Sequence, residues 1–167
     1  INPHVFREYD IRGKAEIDFN DNAVELLGRG FGTYFLDHGE KNIVICNDNR
    51  KSSPRIKKAL IKGILSTGCN VVYIGELPTP LCYFALEHLG LTGGVMITGS
   101  HNPPEENGFK ISSQGGTIFG KEIIKIKNIV NQRTFAKGKG ILTFYDIKDY
   151  YLECLKNKIH LERPLKI

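Results

Sequence analysis

The sequence lacks several features that would place it in a special class of protein. It has no apolar run near the roughly 20 residues that span a bilayer, so we expect no membrane partner. The net charge is +5, but the lysines are spread over several segments. We therefore expect a solvated basic surface and no nucleic-acid partner. The first residues, Ile1–His4, contain neither an initiator Met nor an apolar signal core, so no targeting peptide is expected there.

Cysteine is present but lacks the spacing of a redox or zinc motif. The four cysteines form no CxxC pair, and each stands in an apolar context. They are Cys46, Cys69, Cys82 and Cys154. We interpret them as small buried hydrophobic residues with free thiols, which indicates a reducing, cytoplasmic location.

Helical and strand patterns alternate along the 167 residues, of which 41% are apolar. Helices are predicted at about 22–38, 53–68, 79–89, 121–131 and 147–155. Strands are predicted at 5–9, 42–46, 70–74, 94–97, 109–111 and 141–144, with a hairpin turn at Gly115–Gly116. This alternation predicts an α/β sandwich with a largely parallel sheet, whose ligand groups gather at the carboxyl ends of the strands. Glycines within the first helix, at 28–32, indicate close helix packing.

A glycine-rich break at Lys137–Gly140 divides the chain. We place a domain boundary there, with residues 1–138 as one domain and residues 139–167 as a linker and the start of a second, truncated domain.

The loop with the richest chemistry follows the strand predicted at 94–97 and has the sequence TGSHNPPEENGFK, from Thr98 to Lys110. It combines a hydroxyl, an imidazole, amides and an ammonium group, whereas a structural turn needs only Asn, Gly and Pro. Ser100 is its candidate nucleophile. These residues alone leave a catalytic loop and a structural turn equally open.

Two kinds of chemistry can be weighed for Ser100. Acyl transfer fits poorly, because His101 is the adjacent residue and no GxSxG elbow is present. Phosphoryl transfer fits better, because it needs positive charge and oriented donors around the transferring group. Arg12, Lys110 and the loop amides can supply both.

Three further loops carry weaker signals. The loop Phe6–Gly13 has two arginines that suit an oxyanion, but for this loop alone a surface cluster of ion pairs is the better explanation. The loop Asn47–Ser53 precedes a helix and would either bind an anion or cap that helix. The segment Leu77–Pro80 is most simply a rigid turn.

Together these four loops resemble the α-D-phosphohexomutases. Thr98–Pro103 and Asn107–Lys110 resemble the active-site serine loop of that family. Phe6–Gly13 resembles the N-terminal motif of its phosphomannomutase/phosphoglucomutase branch, and the other two loops follow in family order. The resemblance covers about residues 4–135. It implies a three-layer α/β/α sandwich with a mixed, largely parallel sheet, as in the first domain of phosphoglucomutases.

The resemblance also implies roles for individual residues. Ser100 would be phosphorylated in the resting enzyme and would exchange its phosphoryl group with a hexose phosphate through a bisphosphorylated sugar. Lys110 would serve in proton transfer or charge stabilisation. The implied catalytic residues are Ser100, Lys110, His101 and Arg12, and the implied substrate-binding residues are Tyr9, Arg12, His101, Asn102 and Lys110.

The implied cofactor is Mg²⁺, with phosphorylated Ser100 as one ligand, and glucose 1,6-bisphosphate is the implied activator. The family's DGDGD-like metal loop is absent, since the nearest run, Asn47–Asn49, has one carboxylate. We therefore expect a fragment of a mannose/glucose phosphomutase, inactive alone, whose partners are a hexose phosphate and the remaining domains of its parent. A phosphoglucosamine mutase fragment and a non-catalytic phosphosugar-binding module are the alternatives.

Two departures from the family pattern lie in these loops. Gly99 replaces the usual Ala before the serine, which predicts a slightly looser loop. Asn47 and Asn49 stand where the family often has Arg and Thr. Neither change removes a reacting group.

Overall fold

The computed structural model describes residues 1–159, 162–163 and 166, and this part contains seven strands and five helices. The strands are β1 (Ile11–Lys14), β2 (Asn42–Asn47), β3 (Asn70–Glu76), β4 (Gly93–Ile97), β5 (Glu106–Ser113), β6 (Gly116–Thr117) and β7 (Leu142–Phe144). The helices are α1 (Asp21–Asp37), α2 (Ser53–Leu65), α3 (Thr79–His88), α4 (Lys121–Gln132) and α5 (Lys148–Lys158).

The strands form one mixed sheet in the order β1-β5-β4-β2-β3-β7, with β6 paired to β5. The neighbours β4, β2, β3 and β7 run parallel to one another. The strand β5 is antiparallel to β1, β4 and β6. The parallel centre places the carboxyl ends of β2, β3 and β4 at one edge of the sheet, where the loops that follow them meet.

Helices cover both faces of the sheet, so the predicted three-layer α/β/α sandwich is confirmed. Strand β2 shows how the layers form, because its side chains alternate between the two faces. Ile43 and Ile45 belong to the larger core, which includes buried residues of α1, α2 and α4. Val44 and Cys46 belong to the smaller core, which packs against α3.

Helices α1 and α2 touch through their backbones. A Cβ atom added at Gly28 would lie 2.4 Å from the carbonyl oxygen of Leu60, and one added at Gly63 would lie 2.2 Å from that of Glu25. Glycine is required at both positions because no side chain fits between the helices. This confirms the close helix packing predicted from the glycines in α1.

All five helices form within a few residues of their predicted bounds, and local signals explain where they begin and end. Asn20 caps α1 by accepting a hydrogen bond from the Ala23 amide at 3.0 Å. Gly39 and Gly68, which follow α1 and α2, have φ angles of 77° and 95°, a backbone conformation that favours glycine. The helices in the described part of the chain are all too short or too polar to cross a bilayer.

The strand predicted at Val5–Tyr9 is wrong. Pro3–Val5 forms a 3₁₀ turn instead, because Pro3 fixes its own φ angle and the Asn2 side chain accepts a hydrogen bond from the His4 amide. The Arg7 amide then donates to the Asp10 carbonyl at 2.9 Å, which reverses the chain. The first strand, β1, therefore begins only at Ile11.

The segment after the glycine-rich break returns to the same sheet. The Gly138 amide donates to the Ser66 carbonyl at 3.1 Å, and the Gly140 amide donates to that of Leu65 at 2.8 Å. Strand β7 then pairs with β3, and α5 contacts α3. The domain boundary between 138 and 139 stays a prediction, and residues 160–161, 164–165 and 167 of the predicted second domain lie outside the described residues.

All four cysteines have free thiols. Cys46, Cys69 and Cys82 are buried as predicted, and Cys154 is partly exposed. A cytoplasmic location stays a prediction.

Candidate functional site

A cleft of about 1010 Å³ opens at the carboxyl ends of β2, β3 and β4. Its walls are the loops that follow these strands, which are residues 48–51, 76–80 and 98–104. Three of the four loops singled out from the sequence therefore meet around one space. The fourth, Phe6–Gly13, approaches the 98–104 loop through Arg12, at the start of β1.

Ser100 lies exposed on the wall of this cleft, three residues after β4. Its φ angle is 55°, a left-handed conformation that stores on the order of 1–3 kcal/mol of strain in a non-glycine residue. The Ser100 amide donates to Thr98 Oγ1 at 2.9 Å, and Ser100 Oγ lies 3.4 Å from His101 Nδ1. The hydroxyl is accessible, whereas the backbone that carries it is constrained.

Arg12 joins the N-terminal loop to the serine loop. Its Nη1 donates to Asn102 Oδ1 at 2.7 Å, and its Nη2 contacts the carboxylate of Asp10. The Asn102 amide in turn donates to the carboxylate of Glu106. Arg12 and Asn102 are therefore fixed to each other, with Asn102 two residues after Ser100, and their roles in substrate binding stay predictions.

Lys110 reaches the site through the register of the sheet. On β5 it pairs directly with Met96 of β4, so both side chains lie on the same face. Met96 lines the cleft. Lys110 is therefore the neighbour of a residue that lines the cleft, on the strand next to the one that leads to Ser100, although it does not line the cleft itself.

In the described part of the chain, none of Arg12, Lys110 and Tyr9 lines the cleft itself, and Tyr9 lies on the open surface. Its side chain is 72% exposed and packs against Phe119, with ring centroids 6.3 Å apart. Within the described residues, the cleft lining does not include Tyr9.

Asp48, after β2, holds both the serine loop and the start of α2. Its Oδ2 accepts hydrogen bonds from the Gly99 amide at 3.3 Å and from Arg50 Nε at 3.2 Å. Its Oδ1 accepts the Ser53 hydroxyl at 2.6 Å. The side chain of Asn107, fully buried, donates to the same Ser53 hydroxyl at 2.9 Å. The loop after β2 thus supports the loop after β4.

Gly99 differs from its sequence-based interpretation. A Cβ atom at this position would lie 2.4 Å from Cζ of Arg50, so the guanidinium occupies the space that an alanine side chain would need. The residue does not leave the loop loose, because Arg50 fills the gap.

Comparison with known proteins identifies the family. Residues 3–137 match the family described as phosphoglucomutase/phosphomannomutase, alpha/beta/alpha domain I. The chain belongs to this family.

Named relatives agree with this assignment. A Pseudomonas aeruginosa protein named phosphomannomutase/phosphoglucomutase is 36% identical over 163 residues, which are 98% of this chain and 35% of the relative. A Neisseria meningitidis protein named phosphoglucomutase is 36% identical over 165 residues, 98% of this chain and 36% of the relative. The chain thus spans about a third of the length of the relatives it matches.

A solved structure matches nearly the whole chain. It is a phosphoglucomutase/phosphomannomutase family protein from Burkholderia thailandensis, with a TM-score of 0.93 at 32% identity. The match covers 99% of this chain and 38% of that protein. The fold is therefore that of domain I in the phosphoglucomutase/phosphomannomutase family.

The side chains near Ser100 bear on whether this family domain could hold the implied magnesium ion. Within residues 1–159, 162–163 and 166, no group of three or more His, Cys, Asp or Glu side chains is placed to hold a metal ion. Two carboxylates near Ser100 are already paired with arginines, Asp48 with Arg50 and Asp10 with Arg12. A magnesium ion beside Ser100 would need ligands from elsewhere.

Two residues that hold the serine loop, Arg50 and Thr98, were not identified from the sequence. The loop 47–53 was interpreted as an anion site or a helix cap, yet Arg50 contacts the serine loop. A cationic residue between a strand end and a helix was the available signal. Its partners lie about 50 residues further along the chain, where no local pattern points.

Proposed function

We propose that this chain is the first domain of a phosphohexomutase that interconverts hexose 1-phosphate and hexose 6-phosphate of mannose or glucose. The observation that carries the proposal is the exposed Ser100 hydroxyl, which lies in a cleft with His101 and with Asn102, the partner of Arg12. The names of the relatives support the substrate class.

In the proposed reaction, Ser100 carries a phosphoryl group at rest. A free hydroxyl of the hexose phosphate attacks phosphorus, so a bond to the sugar oxygen forms while the bond from phosphorus to Ser100 Oγ breaks. The hydroxyl proton ends on Oγ, and we propose that His101, whose Nδ1 lies 3.4 Å from Oγ, helps to position the reacting oxygens. The sugar is then bisphosphorylated.

In the second half of the proposed reaction, the other phosphoryl group of the sugar is transferred back to Ser100. After the bisphosphate turns over in the site, Ser100 Oγ attacks that phosphate, and its proton passes to the sugar oxygen that is released. Lys110 and Arg12 supply positive charge that offsets the negative charge on the phosphoryl oxygens. Lys110 can also take part in the proton transfer. Asn102, which accepts a hydrogen bond from Arg12, would hold that guanidinium for the substrate.

The proposed reaction also needs groups other than the residues that line the cleft. Mg²⁺ would shield phosphoryl charge when bound, and its remaining ligands would come from the rest of the parent protein. Tyr9 would reach the substrate from the rim of the site. Glucose 1,6-bisphosphate would act as the activator, because it can phosphorylate Ser100.

The test is phosphorylation of the parent protein by glucose 1,6-bisphosphate, followed by mass analysis of its peptides. We expect one phosphoryl group on Ser100 and mutase activity toward glucose and mannose phosphates. Ser100→Ala should abolish both and leave the fold intact, whereas Ser66→Ala, at the far end of α2, should abolish neither.

Other outcomes would contradict the proposal in different ways. A protein that binds phosphosugars but is never phosphorylated would be a binding module, and activity on glucosamine phosphates alone would indicate phosphoglucosamine mutase. A measurable mutase rate from the 167 residues alone would refute the need for further domains.

A further inference from the structure

Arg50 is more heavily engaged than any other side chain at the cleft. It lies in the loop after β2, and its side chain is 12% exposed. Its Nη1 and Nη2 atoms donate four hydrogen bonds, of 2.6 to 3.0 Å, to main-chain carbonyls of a single segment. Those carbonyls belong to Ser100, Asn102, Pro103 and Glu106.

These contacts leave Arg50 no donor for a ligand. A guanidinium has five N–H groups, and four of them are used by the carbonyls. The fifth, on Nε, donates to Asp48 Oδ2 at 3.2 Å. Arginines at phosphate sites normally direct donors at the anion, but Arg50 directs all of them at the protein.

The segment that Arg50 holds needs external support. Ser100 has a strained left-handed φ of 55°, and residues 98–105 lie between β4 and β5, outside the sheet ladder. One of the four carbonyls is that of Ser100 itself, 3.0 Å from Nη2. The bond to this carbonyl fixes the orientation of the peptide that follows the serine, and thus the direction of its Cβ.

Gly99 shows that the fit is close. The guanidinium lies against the glycine backbone, where an added Cβ would approach Arg50 Nε to 2.6 Å. Asp48, which pairs with Arg50, also accepts the Gly99 amide at 3.3 Å. Asp48 therefore holds Arg50 through its Nε atom, while the Nη1 and Nη2 atoms of Arg50 hold the serine loop.

We propose that Arg50 is a positioning residue that fixes the Ser100 loop in the geometry needed for phosphoryl transfer, without touching the phosphoryl group. This inference rests on the proposed function, which it deepens. Loss of Arg50 releases four carbonyls at once, so the hydroxyl would no longer be held in line with its reaction partner. Displacements of about 1 Å can cost roughly 100-fold in rate.

The experiment compares three variants of the full parent protein. In Arg50→Ala we expect kcat to fall by about 100-fold, with KM changing by less than about threefold, because binding is not the affected step. In Arg50→Lys we expect an intermediate loss, because an ammonium has three donors and cannot form the planar fork. Added guanidinium ion should restore part of the activity of Arg50→Ala.

Arg55→Ala is the matched control. Arg55 also donates to main-chain carbonyls, those of Phe19 and Ala15, and pairs with two carboxylates, but it does not line the cleft. Its replacement should lower the melting temperature and leave kcat of the folded protein unchanged. Equal losses of kcat in the two alanine variants, or no rescue by guanidinium, would overturn the proposal.

Hydrogen exchange separates this inference from the proposed function. The hydrogen-bonded amides of Gly99, Ser100, Asn102 and Glu106 should lose protection in Arg50→Ala and keep it in Arg55→Ala. If the wild-type parent has no mutase activity, the proposed function fails, and the exchange result still decides whether Arg50 holds the loop. Unchanged protection in Arg50→Ala would refute that role whatever the activity.

Discussion

The interior of the domain and its cleft are held together by different forces. The larger core buries apolar side chains of three helices and the sheet, and two of those helices meet without intervening side chains. The serine loop has no comparable apolar support. Polar side chains, chiefly Asp48 and Arg50, bind its backbone directly.

This difference predicts separate consequences for stability and function. Apolar burial is roughly proportional to area and tolerates small displacements, whereas a hydrogen-bond network fixes positions and fails when one member is lost. Substitutions in the core should therefore reduce the free energy of unfolding, while substitutions at the cleft should mainly reduce the proposed phosphorylation of Ser100.

The largest effect on stability is expected at Phe109. Its ring is buried in the core and makes edge-to-face contacts with Phe19 and Phe31, at centroid distances of 5.3 and 5.5 Å. Phe109→Ala should reduce the free energy of unfolding by about 3–5 kcal/mol in denaturant titration. Phe119→Ala, which removes a 60% exposed ring, should stay within about 0.5 kcal/mol of wild type. Equal losses in both variants would refute the comparison.

A substitution at Asp48 is expected to reduce stability less than Phe109→Ala does, and to reduce function more. Asp48→Asn keeps the shape but can direct N–H groups at the Gly99 amide and Arg50, which are donors themselves. We expect a loss of about 1–3 kcal/mol in denaturant titration, and a loss of Ser100 phosphorylation in the parent that exceeds the unfolded fraction. The exposed Asp149→Asn should change neither. Normal phosphorylation in Asp48→Asn would show that the network does not control the loop.

The smallest expected effect is a difference in the rates at which the cysteine thiols react. Burial raises the pKa of Cys69 to about 12, and a hydrogen bond with Cys82, together with burial, raises that of Cys46. A raised pKa keeps a thiol protonated and unreactive at neutral pH. In the folded protein we expect a thiol reagent to label Cys154 first, as measured by mass, and Cys154→Ser should remove that rapid labelling. Equally rapid labelling of Cys69 would contradict a closed core.

Much of the fold was predictable because it depends on local signals. Helix α1 has a capping Asn20 and a terminal Gly39, and the apolar run of β2 marks a strand buried on both faces. The strand predicted at Val5–Tyr9 failed for a physical reason. Pro3 and the turn formed by the Asn2 side chain bend the chain there, and the pattern of apolar residues alone does not predict such a bend.

The candidate site was predictable in composition but not in construction. Ser100, His101 and Lys110 could be found because they share one loop and the strand after it, and Arg12 because of its motif. Their catalytic roles stay predictions. The engagement of Arg50 could not be found, since it depends on which carbonyls face the loop after β2. The absence of Tyr9 from the cleft depends likewise on where a surface ring comes to rest.

The contact between Gly28 and Gly63 has a mechanical consequence. Where two helix backbones meet directly, no deformable layer of side chains can absorb a displacement. Ser53, in the first turn of α2, accepts a hydrogen bond from the side chain of Asn107. A displacement of this turn would therefore move α1 and α2 together as one rigid unit. The displacement would thus be shared by both helices rather than absorbed at a single hinge.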